Sequence, residues 1–355
     1  MKLRENVRLA AHTTLGLGGP ARYFAECASE EEVRAALEHA ARLRLPLFVL
    51  GGGSNVVFLE EGFPGVVLHV AIGGIVLRDD AAPEITAGAG ADWDTLVRGA
   101  VERGWTGVEC LSGIPGTVGG TPIQNVGAYG QEVAQTLTRV VCLDRTTLER
   151  RTFTARECEF GYRDSRFKRG DRGRYVVLEV GFRLARDIRP QLRYPELADA
   201  VARAAALDSL APAEAVLLVR RTVLELRRGK SMVLDPTDPN ARSAGSFFTN
   251  PVLSGPAFAE LERRWRAGGG TAAIPSFPAG SDRKVPAAWL VEHAGFPKGY
   301  RRGGAGVSTR HALALVNLGG TSAELLGLAE AVRAGVAQKF GVTLEYEPEV
   351  VRVTR

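Results

Sequence analysis

The 355-residue sequence predicts an α+β protein of more than one domain. Three observations carry that reading. Residues 1–75 alternate helical and strand patterns, and residues 84–182 hold short strands around one helix and a long glycine-rich stretch. The remainder is richer in helix than in strand. At roughly 150 residues per domain, the length allows two or three domains.

Taken in order, Ser29 and Glu32 form a capping-box pattern, after which Val33, Leu37 and Ala40 recur at helical spacing. The apolar run 47–50 reads as a strand that ends in a glycine run, and 66–70 and 72–77 read as two more strands. Strands follow at 84–87, 140–143 and 175–182, with a helix over 93–103 capped by Asp92. Helices are expected at 195–206 and 212–228, then a linker rich in Pro, Asp and Asn over 230–243. The last region places helices at 257–266, 286–294 and 322–340 and a strand at 312–317. Its final helix carries a capping box from Thr321 to Glu324 and an apolar stripe through Leu325, Leu328, Val332 and Val336.

Composition narrows the function classes. The net charge is +5, and of 45 basic residues six are lysines and 39 arginines. They are scattered beside Asp and Glu rather than clustered with aromatics, which argues against nucleic-acid binding and for a solvated surface. Four cysteines without a CxxC pair, and five histidines without a ligand spacing, argue against structural zinc and for reduced thiols; no metal is expected. The N-terminus lacks the apolar core of a signal peptide, and no stretch has the ~18 apolar residues of a membrane span. A cytoplasmic protein is expected.

Two glycine segments stand out in a chain with 42 glycines. Residues 51–58, GGGSNVVF, follow the strand at 47–50, where backbone N–H groups can turn toward a phosphate. Residues 113–130, GIPGTVGGTPIQNVGAYG, are almost chargeless and too broken by Gly and Pro for helix or strand. Backbone laid along a large phosphate-bearing ligand explains both features; the alternative is a buried connection with many polar groups to satisfy. By contrast GLGGPA at 16–21 matches a dinucleotide fingerprint only formally, since Pro20, Tyr23 and Phe24 do not continue as a helix. Three polar spots remain: GYRDS around Arg163, AGSFFTNP with Ser246 and Asn250, and EYEPEV near the C-terminus. Singly, these read equally as a surface ion pair, a capped turn and a strand-edge carboxylate.

In their order along the chain, GGGSN, GIPGTVGGTPIQNVGAYG, GYRDS, SAGSFFTNP and EPEV closely resemble the UDP-N-acetylenolpyruvoylglucosamine reductase family, from about Thr14 to Glu349. The resemblance implies a two-lobed FAD-binding module of the PCMH type followed by an α/β substrate-binding domain. The lobes are expected at 1–75 and 76–228, with a substrate loop near 190–197, and the last domain at 229–355. It implies non-covalent FAD held by Gly51, Gly52, Gly53, Ser54 and Asn55, and by Gly113, Pro115, Gly116, Gly119, Gly120, Ile123, Asn125 and Gly127. NADPH is the implied co-substrate, giving hydride to the flavin, which then reduces C3 of an enolpyruvyl sugar nucleotide.

By the same resemblance Arg163 and Glu349 face the substrate carboxylate and Ser246 protonates C2. A guanidinium suits a carboxylate whose charge is growing, whereas a glutamate there must be protonated or orient a donor. Tyr194 takes the place of the loop tyrosine that reaches the substrate phosphates in one type of the family. Lys230, Asn250 and Arg227 are further expected phosphate neighbours. The chain ends six residues after Glu349, without the longer C-terminal return of some relatives. A monomer acting on small molecules is expected, without nucleic-acid or membrane partners. The rival reading is a PCMH-type flavin oxidase of a small alcohol, which leaves SAGSFFTNP and EPEV unexplained.

Overall fold

The computed structural model describes residues 1–352. The chain divides into two compact units. The first comprises residues 1–7, 21–53 and 63–234, and the second residues 8–20, 54–62 and 235–355.

The first unit holds two larger sheets and a short antiparallel hairpin of Gly127–Ala128 and Gln131–Glu132. A four-stranded sheet runs in the order Lys2–Arg8, Pro20–Cys27, Phe63–Val70, Leu47–Leu50, and its last three strands are parallel. Parallel neighbours need a crossover, supplied here by the helix Glu30–Arg42. Ser29 accepts the Glu32 N–H at its start, but Glu32 reaches back to the Ala28 N–H rather than to Ser29. The second sheet is antiparallel, in the order Arg150–Thr154, Leu137–Asp144, Tyr175–Arg183, Glu84–Gly88, Ile75–Arg78. The helix Trp93–Val101, capped by Asp92 as expected, buries Trp93, Leu96, Val97, Ala100 and Val101 in the same core as both sheets. Helices Pro195–Ala204 and Pro212–Gly229 complete the unit.

In the second unit a sheet of Ser243–Ser246, Ala314–Asn317, Ala305–Val307 and Arg301–Arg302 is covered by helices Gly255–Ala267, Ala287–His293 and Ser322–Phe340. The last helix has the span expected. Thr321 and Glu324 close a reciprocal box at its start, and Gly341, at φ 71°, ends it in the left-handed conformation.

The units are drawn differently from the expected domains: the second takes up the chain from Asp235 and also includes residues 8–20 and 54–62. The reason is burial: Leu15, Leu17 and Val57 enter the second core, and Gly19 donates to Leu59 O while Leu9 donates to Gly19 O. The glycines of GLGGPA serve this packing, since a Cβ on Gly19 would lie 1.9 Å from Glu60 O, and a strand rather than a helix follows them. The division between the units falls inside 230–243, the segment read as a linker. Asn240 is buried there and exchanges hydrogen bonds with Thr309.

Candidate active site

The glycine segments are placed by the first unit's sheets. Leu50 makes the last ladder pair of its strand, with His69, so the N–H groups of Gly52 and Gly53 lie beyond the sheet. Gly53 turns the chain at φ 63°. A Cβ on Gly52 would lie 2.8 Å from Gly116 Cα, and one on Gly51 2.8 Å from Thr117 Oγ1. Glycine is what lets the two loops touch backbone to backbone.

The longer loop satisfies its polar groups from neighbours, which answers the objection to burying it. Gly113 donates to Asp94 Oδ1 (2.6 Å), Val118 to Ala91 O (2.9 Å) and Gly119 to Ala89 O (2.8 Å), while Gly116 O accepts from Trp93 N (3.1 Å). Gly120 is exposed, and a Cβ there would meet nothing within 4 Å. The result is a shelf of main chain, bare of side chains at Gly120, beside N–H groups at the end of a strand. Those features fit an extended diphosphate cofactor such as FAD.

The Asn125 side chain is bonded within the protein: Nδ2 donates to Glu132 Oε2 (2.8 Å) and Gly161 O (2.9 Å), and Oδ1 accepts from Ala134 N (3.1 Å). With both amide hydrogens engaged, the side chain has no donor left for a cofactor.

Arg163 lies in a two-residue turn closed by reciprocal bonds between Gly161 and Asp164. It adopts φ 53°, where side-chained residues are uncommon, and its Nη2 donates to Gly127 O (2.5 Å). The turn therefore rests on the glycine loop.

Tyr194, Lys230 and Arg227 come together around a residue the sequence reading passed over, Tyr129. The Tyr129 and Tyr194 rings meet edge to face at 5.5 Å, and Lys230 Nζ sits 5.7 Å from the Tyr129 centroid while pairing with Glu196 at 2.5 Å. Burial pushes the Tyr129 phenol up to about 12, so it stays a neutral donor. Tyr194 is 37% exposed at the start of its helix, and burial of its phenol likewise raises it. Arg227 is 7% exposed; Nη2 donates to Met232 O (2.7 Å), and Nε has no hydrogen-bond partner among the described residues. Burial lowers its pKa, opposed by Tyr129 and Asp94. The available signal for Tyr129 was its place in GAYG, inside the loop already singled out.

Ser246, Asn250 and Glu349 belong to the second unit. The strand Ser243–Ser246 slips by one residue between its pairs Ser243–Val316 and Ser246–Ala314, at Gly245 with φ 71°. Such a bulge re-aims the side chain that follows it. Ser246 is half-buried, and no group among the described residues hydrogen-bonds its hydroxyl. Phe247 and Phe248 anchor it, both buried against Tyr346. Main-chain bonds from Glu347 N to Phe247 O and from Thr249 N to Glu345 O join this segment to EYEPEV.

Glu349 is exposed and opens the strand Glu349–Val351, which pairs in parallel with Val56–Phe58. Asn55 brackets it: Asn55 O accepts from Glu349 N (3.0 Å) and Nδ2 donates to Glu347 O (3.2 Å). A ladder thus holds Glu349 in place. Ser54 belongs to this unit too, so the GGGSN motif divides after Gly53. Asn250 Oδ1 accepts from Ala287 N (2.8 Å) at the start of the helix Ala287–His293, and no group among the described residues bonds its Nδ2. All four cysteines are free and buried; burial pushes Cys27 and Cys158 up to about 12 and raises Cys110 and Cys142 as well.

Comparisons with known proteins agree with this layout. Residues 21–147 match the model of an FAD binding domain, and residues 236–351 that of the UDP-N-acetylenolpyruvoylglucosamine reductase C-terminal domain. The chain is 50% identical to the UDP-N-acetylenolpyruvoylglucosamine reductase of Thermobifida fusca, over 99% of this chain and 98% of that one. It is 48% identical to the Streptomyces coelicolor protein of the same name, over 97% and 89%. A crystal structure of the Thermus caldophilus reductase superposes with a TM-score of 0.65 at 27% identity, covering 98% of this chain and 99% of that one. The architecture is a PCMH-type FAD-binding module followed by the C-terminal domain of that reductase. Near-complete coverage at this identity shows that the chain belongs to the UDP-N-acetylenolpyruvoylglucosamine reductase family.

Proposed function

We propose that this protein reduces UDP-N-acetylglucosamine enolpyruvate to UDP-N-acetylmuramate with electrons from NADPH. The observation that carries the reading is the 50% identity, over 99% of the chain, to a relative named for that reductase. Bound FAD would supply hydride chemistry between NADPH and C3 of the enolpyruvyl group. Gly51, Gly52, Gly53, Gly113, Gly116, Gly119, Gly120 and Gly127 offer it main chain, with Ser54, Pro115 and Ile123 beside them. Neither glycine loop contains His or Cys, in keeping with a non-covalent cofactor.

The chain's own residues supply the rest. As hydride reaches C3, negative charge moves onto the carboxylate, and the Arg163 guanidinium offsets it. Ser246, whose hydroxyl has no hydrogen-bond partner among the described residues, delivers a proton to C2, which completes the saturation of the double bond. Glu349 carries a proton or orients the donor. Tyr194, Lys230, Arg227 and Asn250 hold the phosphates, with Lys230 released from Glu196 as an anion arrives.

This activity places the protein in peptidoglycan precursor synthesis in the cytoplasm, and so in cell-wall biogenesis, cell shape and division. We read it as a monomer without nucleic-acid or membrane partners. Several of its arginines pair with carboxylates, as Arg263 and Arg264 do with Glu260.

The test is anaerobic. NADPH should bleach the bound flavin, and the enolpyruvyl sugar nucleotide should restore its colour. Flavin that stays reduced until oxygen is admitted would overturn the reading in favour of an oxidase.

A further inference from the structure

We propose that Asn125 is the positioning residue for Arg163, its buried amide holding the Tyr162–Arg163 turn against the flavin loop. The inference rests on Arg163 facing the substrate carboxylate. Asn125 is 1% exposed and adopts φ 46°, a conformation asparagine tolerates better than most residues. Its amide bonds three segments at once: the turn through Gly161 O, the hairpin through Glu132 Oε2, and the chain beyond it through Ala134 N.

Gly161 is the first residue of the four that make the turn, so fixing its carbonyl fixes where the turn begins. The turn needs that support. It holds Arg163 at φ 53°, and a side-chained residue stays in that region only when its surroundings over-determine it. Among the bonds that join loop and turn are Asn125 Nδ2 to Gly161 O, Arg163 Nη2 to Gly127 O (2.5 Å), and Ser165 Oγ to Ile123 O (2.6 Å). Lys168 Nζ adds another restraint on the turn, at Arg163 O (3.0 Å). Of the three, only the Asn125 bond reaches the turn ahead of Arg163 from a fully buried side chain. The loop that offers main chain to the flavin thereby also sets the direction of the arginine.

Two variants separate this role from backbone strain. Asn125→Gly keeps the left-handed backbone and deletes the amide. Asn125→Asp keeps the shape and Oδ1 but loses both donors and sets a carboxylate against Glu132. Stopped-flow absorbance reads flavin content, flavin reduction by NADPH, and reoxidation by saturating enolpyruvyl sugar nucleotide. The expected result is normal flavin content and reduction, with reoxidation slowed roughly 10²-fold, as for a reacting group displaced by about 1 Å. In an Arg163→Lys background, Asn125→Gly should add little further loss, because both changes act through one guanidinium.

Wild-type reoxidation in Asn125→Gly, equal slowing of both half-reactions, or full additivity with Arg163→Lys would each overturn the proposal. If Arg163→Lys itself reoxidises normally, the reading of Arg163 falls and this proposal with it. A slow Arg163→Lys beside a normal Asn125→Gly overturns the positioning role alone. If neither Asn125 variant folds, Asn125 serves stability only and the proposal is wrong.

Discussion

Replacing Ser246 by alanine tests the proton donor most directly, because the structure separates chemistry from stability there. No group among the described residues hydrogen-bonds the Ser246 hydroxyl, so its removal strands no partner. The half-buried side chain ends a strand whose fold is held by Phe247 and Phe248, both buried, and by Phe247 N donating to Leu313 O. Stability should therefore shift by no more than about 0.5 kcal/mol. A turn-capping serine would instead lose roughly 0.5–2 kcal/mol on substitution.

The kinetic effect should be far larger. Losing a positioned general acid slows a step by about 10²–10⁴-fold. At about 1.36 kcal/mol per decade, that is roughly 2.7–5.4 kcal/mol of barrier. The loss should fall on kcat rather than KM, since the proton moves only in the transition state. Stopped-flow absorbance separates the two half-reactions, and urea titration measures stability. Flavin reduction by NADPH should be unaffected and reoxidation by the enolpyruvyl substrate slowed. Ser246→Ala that reoxidises at the wild-type rate would show that the proton comes from elsewhere.

Tyr194→Phe removes a phenolic hydroxyl at a half-exposed ring that packs on Tyr129, so the fold should hold. KM for the enolpyruvyl substrate should rise about tenfold or more, the worth of one hydrogen bond to a charged group, with flavin reduction unaltered; unchanged KM removes Tyr194 from the phosphate site. Asp94 accepts two bonds from Arg220 (2.7 and 2.8 Å) and one from Gly113 N. Burial opposes its ionisation, but Arg220 and the Gly113 N–H outweigh it and hold the carboxyl below the usual range. Its contribution is thus complete above the unfolded value of about 4 and lost as pH falls through the lower folded value. Asp94→Asn should cost about 1–3 kcal/mol at pH 7, discounted for partial exposure, and flatten the loss of stability below pH 4 in urea titrations; an unchanged acid limb refutes the linkage. Gly119→Ala would set a Cβ 2.5 Å from Ala89 Cβ and 3.0 Å from Ala89 O, the acceptor of its own N–H. Overpacking of roughly 1–3 kcal/mol and weaker flavin retention should follow, read by melting temperature and bound-flavin absorbance; a variant as stable and as yellow as wild type would show that the loop yields.

What the sequence determined by itself was local. The helix Ser322–Phe340 was legible because its signals are contiguous: a capping box from Thr321 to Glu324 and an apolar stripe through Leu325, Leu328, Val332 and Val336. The glycine loops were legible because a run of Gly and Pro excludes helix and strand whatever surrounds it. Resemblance of five ordered motifs then named the reaction. Other elements gave no such local signal. The strand Lys2–Arg8 is charged and mostly exposed, an edge strand whose side chains advertise solvent rather than a sheet.

Tertiary structure decided which distant segments share a core and which side chains are already spoken for. Residues 8–20 and 54–62 join the second unit because Leu15, Leu17 and Val57 find their apolar neighbours there, contacts that no local spacing encodes. Asn125 and Tyr129 sit four residues apart in one loop, yet one is consumed by three hydrogen bonds within the fold and the other presents a ring to Tyr194 and Lys230. A sequence shows what a side chain can donate; only the folded chain shows what has already accepted it.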